Sequence, residues 1–180
     1  MPMPLLHTPA PVRTPRLRLP LLRPFQWRAI GYLDADFRAS AFWAYDAHFP
    51  AEPAKLRAVT KYLAQTGLFY GVYRTGRPQM IGYVCFHQNG DMFDIGYRFH
   101  SSAHGRGYGE EACRAAMAHI INTRNPAGFT AGTAMANTPS VRLLAKLGFA
   151  LQEKELIAFH KNPDGSPLVF EGGLFQLSLR

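Results

Sequence analysis

Six consecutive residues, His104-Gly105-Arg106-Gly107-Tyr108-Gly109, set three glycines between a strand-like segment and a helix-like one. Backbone amides that open a helix lack intrahelical partners and carry the positive end of its dipole, and glycines let an anion approach the main chain closely. The chemistry that suits this spacing is phosphate binding; the bland alternative is a flexible glycine turn. A P-loop needs Gly-Lys followed by Ser or Thr, but Gly107 is followed by Tyr108, Gly109 and Glu110. A G-x-G-x-x-G fingerprint begun at Gly105 requires glycine where Glu110 stands, and begun at Gly107 where Ala112 stands. It also follows a first strand, whereas about a hundred residues precede this loop.

A second residue able to do chemistry lies just upstream. Alternation over 92–99 puts Phe93, Ile95, Tyr97 and Phe99 on one face of a strand and Met92, Asp94, Gly96 and Arg98 on the other, both largely apolar near Asp94. A carboxylate so placed should have a raised pKa, and a base nearer neutrality can take a proton from an amine directly or through water. The competing account is a surface or hydrogen-bonded aspartate just after the Asn89-Gly90 turn.

These residues need a scaffold. Leu17, Leu19 and Leu21 alternate with Arg16, Arg18 and Pro20, the pattern of a first strand at an edge. An aromatic-rich stretch at 24–51 reads as broken helix, and a further helix spans 53–65, ended by Gly67. Segments 68–73, 80–87 and 92–99 are strand-like, the last two joined through Asn-Gly, a strong hairpin signal. A helix over 109–122 carries Cys113, Met117, Ile120 and Ile121 on one face, and 129–135 is a short strand. Thr138 and Pro139 start a helix that runs to Leu147 before Gly148, and two strands at 150–159 and 168–179 flank the turn Asn162-Pro163-Asp164-Gly165. The order predicts an α/β fold: a mixed, mostly antiparallel central sheet flanked by helices, with a parallel crossover through the 109–122 helix. Residues 1–15, with five prolines, read as a mobile N-terminal arm and 16–180 as a single domain.

Composition narrows the class. At 180 residues, 47% hydrophobic and 18% charged, the chain suits one globular domain. No signal-peptide pattern or apolar run near ~20 residues is present, so the expectation is a cytoplasmic protein without a membrane partner. Cys85 and Cys113 lie in apolar patterns rather than a paired spacing, which suits buried thiols and indicates no metal. The net charge of +8 attracts anions without choosing among nucleic acid, acidic protein and a nucleotide cofactor. No run of five basic residues and no zinc-finger spacing supports sequence-specific nucleic-acid binding.

Taken with the loop, four segments resemble the GNAT N-acetyltransferase superfamily, especially its ribosomal-protein alanine acetyltransferase-like branch. They are Thr14-Pro15-Arg16-Leu17-Arg18-Leu19, Asp94-Ile95-Gly96-Tyr97, Gly105 through Ala112, and Asn137-Thr138-Pro139-Ser140-Val141-Arg142-Leu143-Leu144-Ala145-Lys146-Leu147-Gly148-Phe149. The resemblance implies direct transfer of acetyl from acetyl-CoA to an amine in a ternary complex, the acceptor being a small-molecule amine or a protein N-terminus. It implies that His104, Gly105, Arg106, Gly107, Tyr108 and Gly109 hold the pyrophosphate, that backbone groups of Tyr97 and Phe99 pair with pantetheine, and that Asn137 contacts the coenzyme, with helix capping as the alternative for Asn137. Asp94 becomes the candidate base, with Asp46, His48 and Glu171 in reserve because the early helices and last strands wall the acceptor side. Many relatives carry a tyrosine acid where Leu144 stands; the branch resembled carries a serine matching Ser140, which is equally a first-turn helix residue. His104 replaces the family's Gln or Arg, and Glu110, which could pair with Arg114, replaces a small hydroxyl residue. A silent acyl-CoA-binding sensor of the same fold and a nucleic-acid-binding protein remain as rivals, and the last strands offer an edge for a homodimer.

Overall fold

The computed structural model describes residues 10–180. Its chain order is β1 (Val12–Arg13), β2 (Leu17–Leu19), α1 (Trp27–Arg38), α2 (Pro53–Gln65), β3 (Phe69–Arg74), β4 (Met80–Asn89), β5 (Met92–Phe99), α3 (Tyr108–Arg124), β6 (Gly128–Ala134), α4 (Thr138–Leu147), β7 (Ala150–Lys161) and β8 (Pro167–Ser178). The 24–51 stretch breaks as expected, α1 being followed by a single 3-10 turn at Trp43–Tyr45.

All strands join one sheet in the order β1-β2-β3-β4-β5-β6-β8-β7. Every neighbour pair is antiparallel except β5 and β6, which run parallel because α3 carries the chain over the sheet between them. The arm expected at 1–15 is corrected at its end: Val12 and Arg13 pair with Leu19 and Arg18, since an apolar residue beside a free strand edge gains both ladder bonds and burial. Residues 1–9 of that arm lie outside the described residues. The β4–β5 hairpin turns one residue later than Asn-Gly suggests: Asn89 pairs with Met92, so Gly90 and Asp91 are the central residues and only Gly90 has positive φ, at 62°. That is the II′ arrangement, with glycine first.

Two cores result from the alternation of the strands. On one face Phe93, Ile95, Val84 and Phe129 pack under Cys113, Ala116 and Ile120 of α3 and Leu144 and Leu147 of α4. On the other, Phe69, Tyr73, Met80 and Tyr83 pack under Ile30 and Leu33 of α1 and Leu56 of α2. Each large aliphatic side chain so buried contributes about 1.5–3 kcal/mol. Both cysteines are free thiols, and burial keeps each protonated, pushing Cys85 up to about 12. Among the described residues no helix is long and apolar enough to cross a membrane, and no group of three metal-binding side chains forms.

Candidate active site

At the end of β5 the chain makes a 3-10 turn, Ser101–Ala103, and enters α3 through Gly105 (φ 70°) and Gly107 (φ 74°), left-handed conformations that favour glycine. Gly107 is the N-cap and offers no side chain to the first turn. The first backbone bond there is Glu111 N–H to Gly107 O, which leaves the amides of Tyr108, Gly109 and Glu110 without intrahelical partners. Gly109 serves close approach: a Cβ would lie 3.4 Å from Leu143 and 3.5 Å from the Phe99 ring. The two acidic side chains of this turn are directed away from the amides. Glu110 takes the Arg114 guanidinium at 3.0 Å and lies 3.9 Å from Lys146. Glu111 accepts from Thr14 Oγ1 (2.5 Å) and Arg16 Nε (2.6 Å), contacts that outweigh its burial and hold its pKa below the usual range. Arg16 also donates to Arg106 O at 3.0 Å and lies over the Tyr108 ring at 4.8 Å, so β2 braces the loop from outside. His104 sits on the strand side, its Nε2 2.9 Å from Phe99 O; a carbonyl only accepts, so Nε2 carries the proton.

The parallel pair beside this loop is short. Met92, Phe93 and Asp94 pair with Gly128, Phe129 and Thr130, and no register continues beyond them, whereas β6 stays paired with β8 as far as Ala134. His100 N–H donates to Ile81 O across the β4 side. By alternation the backbone groups of Ile95, Tyr97 and Phe99 therefore face the gap where β5 and β6 part. The Tyr97 side chain spans toward α4, its hydroxyl 2.9 Å from Ser140 Oγ. Burial pushes the Tyr97 phenol up, against a smaller downward pull from Ser140. Asn137, not Thr138, is the helix cap: its Oδ1 accepts from Ser140 N–H at 3.4 Å. Leu144 is fully buried.

Asp94 opens onto the α1/α2 face. Burial raises its pKa, with smaller downward contributions from Thr130, whose Oγ1 donates at 3.0 Å, and from His87 opposite it on β4. Two residues further along that face from Gly96 is Arg98, only 6% exposed, with Nη1 2.6 Å from Asp34 Oδ1 and Nη2 2.8 Å from Asp46 Oδ2 and 3.3 Å from Ala47 O. Its guanidinium lies 4.1 Å from the Phe37 ring centroid. Asp34 also accepts from Arg38 Nε (2.7 Å) and Phe49 N–H (3.2 Å), and these with Arg98 overcome the upward push of burial to lower its pKa.

The reserve residues fall in three places. Asp46 is tied to Arg98. His48 lies 3.6 Å from Asp34, and burial followed by Arg38 lowers its pKa. Its ring meets His160 of β7 at 4.8 Å, while His160 Nε2 donates to Asp46 O at 2.8 Å and Tyr45 meets Phe170 of β8 at 5.1 Å. The 43–49 segment is thus clasped to the β7–β8 hairpin. Glu171 is on the opposite face from Phe170 and pairs with Lys154 at 2.8 Å, away from Asp94.

Asp34 and Arg98 are the residues that sequence alone does not single out. A signal for them exists: Asp34 follows Ile30 and Leu33 on the inward stripe of α1, and Arg98 shares a strand face with Asp94 and Gly96. A lone charge at an inward position of each element points to a buried pair.

A sheet that parts beside a glycine-capped helix is the arrangement of the GNAT fold. The family model described as "Acetyltransferase (GNAT) domain" matches residues 16–150, and the chain belongs to that family. Comparison with curated proteins gives no match. Among solved structures it is similar to the ribosomal-protein-S5-alanine acetyltransferase of Vibrio fischeri, with 14% identity, TM-score 0.77 and coverage of 94% of this chain and 96% of that one. An acetyl transferase of Salmonella typhimurium that modifies the N-terminal serine of ribosomal protein L7/L12 gives 16% identity, TM-score 0.73 and coverage of 93% and 97%. The putative acetyltransferase yncA of Salmonella typhimurium, solved with acetyl-CoA, gives 15% identity, TM-score 0.69 and coverage of 91% and 94%. At these identities the likeness concerns the fold.

Proposed function

We propose that the protein is an acetyl-CoA-dependent N-acetyltransferase acting on a primary amine, either a peptide N-terminus or a small molecule, by direct transfer in a ternary complex. The observation that carries this reading is the unpaired edge of β5, which runs from the α3 amides at one end to Asp94 at the other. Those amides suit a pyrophosphate, since the first-turn carboxylates are turned to Arg16, Arg114 and Lys146. The backbone groups of Tyr97 and Phe99 suit an extended amide-bearing chain in the gap, and yncA was solved with acetyl-CoA. Gly132 of β6 has open space where a side chain would stand, leaving room beside the gap.

Asp94 takes the proton of the incoming amine, which attacks the thioester carbonyl; the carbon–sulfur bond breaks and the thiolate takes a proton from Ser140, which recovers one from solvent as Asp94 releases its own to solvent. Asn137 orients the start of α4 and borders the coenzyme. One structurally similar protein is a ribosomal-protein-S5-alanine acetyltransferase and another modifies the N-terminal serine of ribosomal protein L7/L12, which supports trying peptide amines first among acceptors. The same proposal places the chain in the cytoplasm and its β7 edge, where Leu156 and Phe159 are exposed, at a homodimer contact.

Leu144 in place of a tyrosine acid favours one second reading, a silent acyl-CoA binder. A thiol-release screen of acetyl-CoA against amines and peptides separates the two. Release with any amine supports the enzyme; a coenzyme-dependent rise in Tm without release from any amine supports the silent binder. No rise in Tm at millimolar coenzyme A overturns both.

A further inference from the structure

Half of the chain's 20 lysines and arginines fall in two segments, 10–33 and 53–90, that contain no aspartate or glutamate. These segments build β1 to β4, the 3-10 turn Pro24–Gln26, the first half of α1 and all of α2, so the charge collects at one end of the sheet. Among the described residues Arg16 pairs with Glu111 and Lys55 with Glu52, whereas Arg13, Arg18, Arg28 and Arg57 pair with no carboxylate.

What these four meet instead is one another and aromatic rings. Arg13 stands directly opposite Arg18 in the β1–β2 ladder, a like-charge placement that costs stability. Arg18 lies 4.2 Å from the centroid of the Tyr73 ring, and the Tyr73 hydroxyl accepts from Gln26 Nε2. Next to Gln26, the Trp27 indole holds two guanidiniums, Arg28 at 4.3 Å and Arg57 at 4.5 Å. Phe25, the other neighbour of Gln26, is 72% exposed. A ring face attracts a cation but does not cancel its charge. Cations and rings therefore follow one another in a strip from β1 to α2, on the α1/α2 face where Tyr73 packs.

We propose that this strip binds single-stranded nucleic acid without regard to its sequence. Such a strand also alternates charge with flat rings: Arg13, Arg18, Arg28 and Arg57 meet phosphates, and Phe25 offers a face on which a base stacks. A duplex keeps its bases in its own stack, and an acidic protein segment offers carboxylates without a base, so either would use the cations alone. The strip is on the opposite face of the sheet from α3, and the inference is independent of the coenzyme reading.

The test is fluorescence anisotropy of a labelled oligothymidylate of about twenty nucleotides, titrated with the full chain over a range of salt. Four phosphate contacts predict a slope of about −3 for log K against log salt, at about 0.7 per phosphate. Arg28→Gln with Arg57→Gln should reduce the slope by about 1.4, and Arg28→Lys with Arg57→Lys should retain it. Phe25→Ala should weaken binding about tenfold at every salt concentration and leave the slope unchanged. Lys161→Gln, on β7 at the other end of the sheet, should change neither. Binding should persist at millimolar coenzyme A; displacement would put the oligonucleotide on the α3 loop and overturn the strip. Polyglutamate binding as tightly as the oligonucleotide, with Phe25→Ala neutral, overturns the nucleic-acid assignment in favour of an acidic protein. A duplex binding as tightly as the single strand removes the role given to stacking and overturns the single-strand assignment. No binding at about 50 mM salt overturns the surface altogether.

Discussion

On the α3/α4 face, the groups suited to the coenzyme are backbone amides and glycines supplied by six neighbouring residues, His104 through Gly109. On the α1/α2 face, Arg98 is fixed by Asp34, Asp46 and Ala47 O, which lie 64, 52 and 51 residues away in the chain. One side is local and nearly independent of side-chain identity; the other is a long-range agreement among side chains. The first should therefore tolerate change outside its glycines, and the second should fail when one partner is removed. Asp94, between the two, is where they meet.

The largest expected effect is at that meeting point. Asp94→Asn keeps size and the capacity to accept from Thr130 Oγ1 but loses basicity, so coenzyme affinity should persist while kcat/KM falls by about 10²–10⁴-fold. The loss should be greatest below the amine's own pKa and partly rescued as pH rises. Stability supplies an independent check. Burial raises the folded-state pKa of Asp94, so its contribution is favourable at acid pH and lost as pH rises through that pKa. Asn removes the cost of the buried charge, and Tm at pH 8 should equal or exceed the wild type, with the gain vanishing toward acid. A lower Tm with unchanged turnover per folded molecule would make Asp94 structural.

Asp34→Ala tests the long-range side. It leaves Arg98, 6% exposed, with only the half-exposed Asp46 as a charge partner, and breaking a buried pair from one side costs about 3–5 kcal/mol. Urea unfolding should show that loss at pH 7. The lowered pKa of Asp34 means that the wild-type advantage persists above the ordinary carboxyl value of 3.8 and disappears as pH falls through the folded value. Folded Asp34→Ala should bind coenzyme normally and bind the amine poorly, because the loop it holds is on the acceptor face. A change below about 1 kcal/mol, or a loss of coenzyme affinity instead, would break the division between the faces.

The division also explains what was legible in the sequence. The Pro53–Gln65 and Thr138–Leu147 helices could be read to the residue because each has a proline in its first turn and a sharp stop, Gly67 (φ 67°) or Gly148 (φ 94°). The loop was legible because its glycines and the helix behind it are contiguous. Val12 and Arg13 were not, because edge pairing depends on what β2 leaves open rather than on local pattern. Nor was the His48–His160 clasp, whose members are 112 positions apart and carry no periodic signal. Alternation placed Asp94 and Arg98 together on β5, and the stripe of Ile30 and Leu33 marks Asp34 as inward on α1, but nothing local revealed that Asp34 and Arg98 would meet.

The smallest expected effect probes a contact that crosses the gap. Tyr97 stands on β5 and its hydroxyl meets Ser140 Oγ at 2.9 Å, on the first turn of α4. Burial raises the phenol pKa, so Tyr97 is a protonated donor at neutral pH, and a hydroxyl that accepts from it is free to direct its own proton elsewhere. If Ser140 protonates the leaving thiolate, Tyr97→Phe removes one orienting hydrogen bond worth about 1 kcal/mol, roughly a fivefold loss in kcat with the KM for acetyl-CoA unchanged. Ser140→Ala should cost more, and Tyr97→Phe added to it should cost nothing further, since an orienting group has no effect once the group it orients is gone. Additive losses, or a fall in Tm with kcat preserved in the single Tyr97→Phe variant, would mean that the hydroxyl only fastens α4 to the sheet and that the thiolate takes its proton from another donor.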